Sequence, residues 1–180
     1  MSRVRMVWEV VELQTLVCPA MSVDDKYRTL YAALMGVFND IAQYARDSMP
    51  PEKLQELINS AMHGVGSSAG RRLVRVYKLK PTVEDALRLL LLLNNESLAY
   101  LPKLKQIYAE IDGEAGYLTI RRDPWYDWYF KHIGIDCEES CSKHEYKGLI
   151  SHLGGDFNIE VLESLPRGDE RCRFRITKTK

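Results

Sequence analysis

Five residues in the last third of the chain carry groups that could do chemistry: Cys137, Cys141, His144, Glu163 and Cys172. Thiolates, imidazoles and carboxylates are the donors that bind zinc tetrahedrally, and a thiol beside an imidazole is also the pairing of a nucleophile with its base. Cys137 and Cys141 lie one helical turn apart and His144 three residues further on, so a helix would bring all three to one face. On the last predicted strand, period-two alternation places Cys172, Phe174 and Ile176 on an inward apolar face and Arg171, Arg173 and Arg175 on the other. The outward arginines read as solvated edge protection, with Glu160 on the neighbouring strand as a neutralising partner. The same alternation groups Ile159, Val161 and Glu163 on the preceding strand. It predicts Val161 opposite Cys172 and Glu163 diagonal to it, a carboxylate beside a buried thiol. The alternative, that Glu163 ends the strand and points to water, stays open.

Apolar spacing and breakers predict the elements that must position these groups. Ser22 with Asp25 resembles a capping box, and Tyr27, Leu30, Tyr31, Leu34, Phe38, Ile41 and Ala45 then recur at helical spacing. Pro50 and Pro51 close that helix and open the next, in which Leu54, Leu57, Ile58 and Ala61 are expected to face the core. Gly64, Gly66 and Gly70 fit either a close approach of another backbone or a break between two helices. Pro81-Thr82 with Asp85 restarts a buried helix, which Asn94-Asn95 should stop. Segments 104–111 and 116–122 flank an Asp-Gly turn and read as a hairpin. A further helix is expected over 138–153, with Cys141 at its opening, and a second hairpin over 157–163 and 170–178. Residues 3–17 fit a strand or a short helix. After Pro124 a short helix carries Trp125, Tyr126, Trp128, Tyr129 and Phe130, too many aromatics for one face. Trp125, Trp128 and Tyr129, with Tyr146, are candidate ligand-lining residues; core packing and a subunit interface are the competing uses.

The pattern implies an α+β protein: N-terminal helices, then a small antiparallel sheet with helices on one face. A single domain over 1–180 is expected, with a mainly helical half (1–98) and an α+β half (99–180). The chain has 25 basic and 25 acidic residues. That balance gives no field to draw it to nucleic acid or an anionic membrane. The apolar run Leu87–Leu93 is too short to span a bilayer, and Glu9 and Glu12 interrupt the start where a signal peptide would be apolar. A cytoplasmic location is therefore expected, with the four cysteines as free thiols or metal ligands rather than disulfides.

A cysteine near a helix start followed by a glycine (Cys141, Gly148), then a closing Gly168-Asp169 and Cys172-x-Phe174, resembles the 4-vinyl reductase domain family over about residues 100–178. That family consists of small-molecule-binding modules sharing a fold with haem nitric-oxide sensors and some vesicle-trafficking subunits. The resemblance implies a haem-nitric-oxide-binding/4-vinyl-reductase-like fold, binding or sensing of an apolar or aromatic ligand, a homodimer, and a cysteine-based zinc site as an option. The family's middle cysteine falls at Ser164 and its metal-binding carboxylate near Val161. Only Cys141 and Cys172 carry over, leaving Cys137 and Glu163 as substitute metal ligands. The tail also resembles the 2-aminothiazoline-4-carboxylate hydrolase-like family. That likeness implies a cysteine-dependent hydrolase of a small cyclic C–N or C–S bond, with Cys141 as nucleophile and His144 as base. A non-catalytic dimeric scaffold is the third alternative. The Tyr-x-Ser-x-Arg signature of the haem branch and the nucleotide-binding motifs are missing from the sequence, so neither haem nor a nucleotide is expected.

Overall fold

The computed structural model describes residues 22–98, 107–121, 126, 131, 136 and 138–179. Three helices, α1 (Val23–Ser48), α2 (Pro51–Tyr77) and α3 (Val83–Leu98), precede the hairpin β1 (Ile107–Asp112) and β2 (Ala115–Ile120). A π-helical turn (Glu138–Ser142) leads into α4 (Lys143–Ile150), followed by the hairpin β3 (Phe157–Glu163) and β4 (Cys172–Lys178). The strands form one antiparallel sheet in the order β1-β2-β4-β3. The expected α+β architecture is present. Segment 3–17 and the aromatic helix after Pro124, apart from Tyr126, lie outside the described residues.

Local chemistry explains the boundaries. Pro51 occupies the first turn of α2, where its missing N–H costs no hydrogen bond. Lys78 closes that helix in the left-handed conformation, its N–H bonded to the Val74 carbonyl. Thr82 caps α3: its Oγ1 accepts the Asp85 N–H at 3.1 Å, while the Asp85 carboxylate accepts the Lys80 N–H at 2.8 Å. Asn94 does not stop α3, which continues to Leu98. Its amide donates to the Leu90 carbonyl one turn back (2.8 Å) and to the Tyr146 hydroxyl (3.1 Å), so a side chain that usually competes with helix is satisfied inside it.

The core lies between the inner face of the sheet (Leu118, Ile120, Ile159, Val161, Cys172, Phe174, Ile176) and α3 and α4 (Leu87, Leu89, Leu90, Tyr146, Leu149, Ile150). Pinning α4 in place is its seam with α2, which is one continuous helix through its three glycines. A Cβ added at Gly148 would stand 2.1 Å from the His63 carbonyl oxygen, and one at Gly66 or Gly70 would run into the backbone of Glu145 or Leu149. The close-approach use of Gly66 and Gly70 therefore holds, and it is reciprocated from α4 by Gly148.

Two other expectations are corrected. Leu57 and Ala61 are exposed, because the α1-facing side of α2 is the row Leu54, Ile58 and Met62, which packs with Phe38, Ala42, Ala45 and Met49. The α1 stripe divides: Phe38 and Ala45 meet α2, whereas Leu30, Leu34 and Ile41 are exposed.

Candidate functional site

The fully buried Cys172 opens β4 on the inner face, where its thiol donates to Oε1 of Glu138 at 2.8 Å. Glu138 is itself fully buried. A carboxylate thus stands beside the thiol as expected, but it is Glu138 from the turn before α4 and not Glu163. The reason is a β-bulge. Val161 pairs with Phe174, and Glu163, two residues on, pairs with the very next β4 residue, Arg173. The extra residue, Leu162, reverses the parity of the strand and turns Glu163 onto the arginine face. There Glu163 accepts two bonds from Arg171, at 2.7 and 2.9 Å. Its pKa is lowered, chiefly by that hydrogen-bonded guanidinium and against a smaller opposing effect of burial. The pairing of Val161 with Cys172 is corrected as well, because the register of the hairpin is set two residues further along β4: Val161 pairs with Phe174, and Cys172 pairs with Ile120 of β2.

Asp136 holds Glu138 over the thiol. Its Oδ1 accepts the backbone N–H groups of Glu138 (3.1 Å) and Glu139 (3.3 Å), capping the helical segment, and the Ser164 hydroxyl at 3.1 Å. Ser164 is fully buried, and its N–H donates to Asp169 Oδ2 at 2.7 Å. Gly168 sits at φ 94° and lets the 164–169 loop turn back so that this bond closes. Gly168-Asp169 is therefore a loop-closing pair. Through Ser164 and Asp136 it ties the β3–β4 connection to the start of the segment that carries Glu138. Arg167 adds longer contacts to Asp136 (3.6 Å) and Glu139 (3.8 Å) at the rim.

Cys141 lies within the π-helical turn, three residues inside its start, so Asp136 and not a thiol faces the first free amides. The side chain of Cys141 and all of Cys137, Trp125, Trp128 and Tyr129 lie outside the described part of the structure. His144 is half-buried on the first turn of α4. Burial lowers its pKa first of all, with Lys147, Lys143 and His63 adding to the effect, so the neutral ring is favoured. Tyr146 is buried, its ring edge-to-face with Phe174 at 5.1 Å and its hydroxyl bonded to Asn94. It carries a polar atom into the core next to the sheet.

Among the described residues no three of His, Cys, Asp and Glu converge as a metal would require. Cys172 and Glu138 are two donors, short of the four of a structural zinc site, and Glu163 is not available as a third. A separate shallow groove of about 230 Å³, lined by Lys147, Ile150, Ser151, Gly155, Asp156 and Phe157, opens at the other end of the sheet, where Phe157 pairs with Lys178. None of the described helices is long and apolar enough to cross a membrane.

Sequence reasoning missed Asp136, Glu138 and Ser164. A signal for the first existed: Asp136 with Glu139 three residues on is an N-terminal capping pattern. Glu138 had none, since 34 residues separate it from Cys172.

No protein-family model matches this chain, and no curated protein sequence is significantly similar to it. Solved structures do match. A trafficking protein particle complex subunit 3 from Naegleria fowleri, covalently bound to palmitic acid, aligns with a TM-score of 0.54 at 12% identity over 87% of this chain and 97% of that one. The SO2144 H-NOX domain from Shewanella oneidensis, in its Fe(II)CO ligation state, aligns with a TM-score of 0.51 at 17% identity over 82% of this chain and 74% of that one. The fold expected from the family resemblance, common to haem-type sensors and trafficking subunits, is the fold observed.

Proposed function

We propose that this chain is a small-molecule-binding domain of the 4-vinyl reductase type, taking an apolar or aromatic ligand between the helices and the inner face of the sheet. One observation carries the reading: the buried Cys172–Glu138 pair. A carboxylate and a thiol in an otherwise apolar core cost desolvation free energy that two packed aliphatic side chains would not. Such pairs persist where they position or recognise something. The Asp136–Ser164–Asp169 chain supports this, because it fixes Glu138 through three connected hydrogen bonds rather than leaving its placement to packing. The fold adds support at the level of analogy: one structural neighbour holds palmitic acid, an apolar ligand, and another is an H-NOX domain with a bound carbon monoxide.

In this reading the ligand's apolar body meets Phe174 and Leu118, its polar end meets the Cys172–Glu138 pair, and Trp125, Trp128 and Tyr129 are the further candidates for lining it. A zinc-loaded version of the site would use Glu138 in the role first expected of Glu163, with Cys172, and would take Cys137 and Cys141 as the remaining candidate ligands.

Thermal-shift and native mass-spectrometric titration with styrene, naphthalene and palmitic acid tests the proposal. At least one should bind with one-to-one stoichiometry, and Glu138→Gln should weaken binding without unfolding the protein. Failure of all three probes to bind the wild type would overturn it. Metal analysis of the wild type and of Glu138→Ala tests the zinc version separately.

A further inference from the structure

We propose that the outer face of the sheet is a docking surface for an extended acidic segment of a partner protein, with carboxylates at alternating positions seated on Arg173 and Arg175. The inference is independent of the ligand-binding reading, which uses the inner face. β4 lies inside the sheet, between β2 and β3, so its outward arginines do not guard an edge as the sequence suggested. Strand pairing lines the outward residues up in two rows across all four strands. One row is Tyr108, Thr119, Arg173 and Glu163; the other is Glu110, Tyr117, Arg175 and Glu160. The core helices lie against the opposite face, where Gly116 abuts Leu87 of α3.

Two of the arginines on this face hold donors that the described residues leave unused. Arg171 directs its fork to Glu163, at 2.7 and 2.9 Å. Arg173 reaches that same carboxylate only at 3.9 Å, and Arg175 reaches Glu160 only at 3.7 Å, both beyond hydrogen-bond range. Arg173 is the more demanding of the two: its side chain is 30% exposed, and its Nε is buried with no hydrogen-bond partner. The Tyr117 ring lies 4.7 Å from the Arg173 guanidinium carbon, which fixes the fork in place but gives it no acceptor. A largely desolvated, planar fork with open donors matches a carboxylate taken bidentately.

Spacing and charge say what covers the face. Arg173 and Arg175 point the same way two residues apart, a separation of about 6.8 Å along a strand. Side chains i and i+2 of an extended peptide have the same period, so carboxylates at alternating positions meet both forks at once. Tyr108 and Tyr117, half-buried beside them, add the aromatic contact that joins arginine in the strongest positions of protein interfaces. Glu163 closes one row, and Glu110 and Glu160 close both ends of the other. Those carboxylates repel the unbroken phosphate row of a nucleic acid, whereas a peptide can set neutral or basic side chains against them.

The test is an NMR titration of the full chain with the blocked peptide acetyl-Thr-Glu-Val-Glu-Thr-amide, following the arginine Nε–Hε signals. Those of Arg173 and Arg175 should shift saturably. The isomer acetyl-Thr-Glu-Glu-Val-Thr-amide, whose carboxylates fall on opposite sides of an extended chain, should bind several-fold more weakly. Arg173→Lys and Arg175→Lys keep the charge but lose the fork, and each should weaken the alternating peptide about tenfold while the amide spectrum stays that of the folded protein. Arg88→Lys, on α3, should change nothing. An absence of saturable shifts, equal affinity for the two peptides, or full binding by both lysine variants overturns the proposal. So does tighter binding of oligothymidylate or of inorganic phosphate than of the alternating peptide.

Discussion

The Cys172 thiol donates to the Glu138 carboxylate across 2.8 Å inside the core, joining the first residue of the last strand to the turn that precedes α4. Both groups lose their hydration on folding, and each supplies part of what replaces it for the other. Removing one member leaves a buried polar group short of a partner, whereas removing both removes the demand.

A double-mutant cycle should therefore show strong coupling. Glu138→Ala and Cys172→Ala are each expected to cost about 1–3 kcal/mol, with a coupling of about 1 kcal/mol or more between them. Urea unfolding of the four proteins measures it. Additive losses would mean that the two side chains do not interact in solution.

The α2–α4 seam predicts opposite signs for two glycines of one helix. Gly66→Ala puts a methyl group onto the Glu145 carbonyl and should cost more than about 2 kcal/mol, even though alanine is the better helix former. Gly64→Ala meets nothing and should stabilise by about 0.5–1 kcal/mol. Thermal or urea denaturation of the pair decides it, and destabilisation by Gly64→Ala would contradict the packing.

His144 predicts an acid-side loss of stability. Its pKa is lower in the fold than the ordinary 6.5, so the unfolded chain binds the proton more tightly. Stability attached to the neutral ring is present above the unfolded value and drains away as pH falls through the folded one. His144→Gln should flatten the fall in stability between about pH 7 and about pH 5. The histidine resonances of the native protein, followed by NMR through the same range, should show one ring titrating below the usual value, and a normal His144 titration would reject the assignment.

Glu163 predicts a second loss, at lower pH. Its carboxyl is held below the ordinary 4.5 by the Arg171 guanidinium, so the ion pair contributes above that value and is lost as pH falls through the depressed one. Arg171→Gln should bring the Glu163 pKa back toward 4.5 and make the acid unfolding of the protein less steep. Carboxyl chemical shifts recorded during acid titration read this directly.

Much of this protein is determined by short-range sequence chemistry. The three long helices, both hairpins and the inward face of β4 follow from apolar periodicity, from Pro51 and Thr82 at helix starts, and from the Asp112-Gly113 turn, because each depends on residues within a few positions of one another. The glycines of α2 left a close approach and a helix break equally open, and only the packing of α4 against Gly66 and Gly70 decided between them. What only the tertiary structure decided are the relations that span the chain or break a period. Leu162, one bulged residue, moved Glu163 from the thiol's face to the arginines, and alternation alone cannot foresee an insertion. Asn94 remained helical because Tyr146, 52 residues away, receives its amide. Glu138 became the partner of Cys172 because the Asp136–Ser164 bond ties one loop to another. Packing brings these groups together, and packing is a property of the whole chain, so no local stretch of sequence carries it.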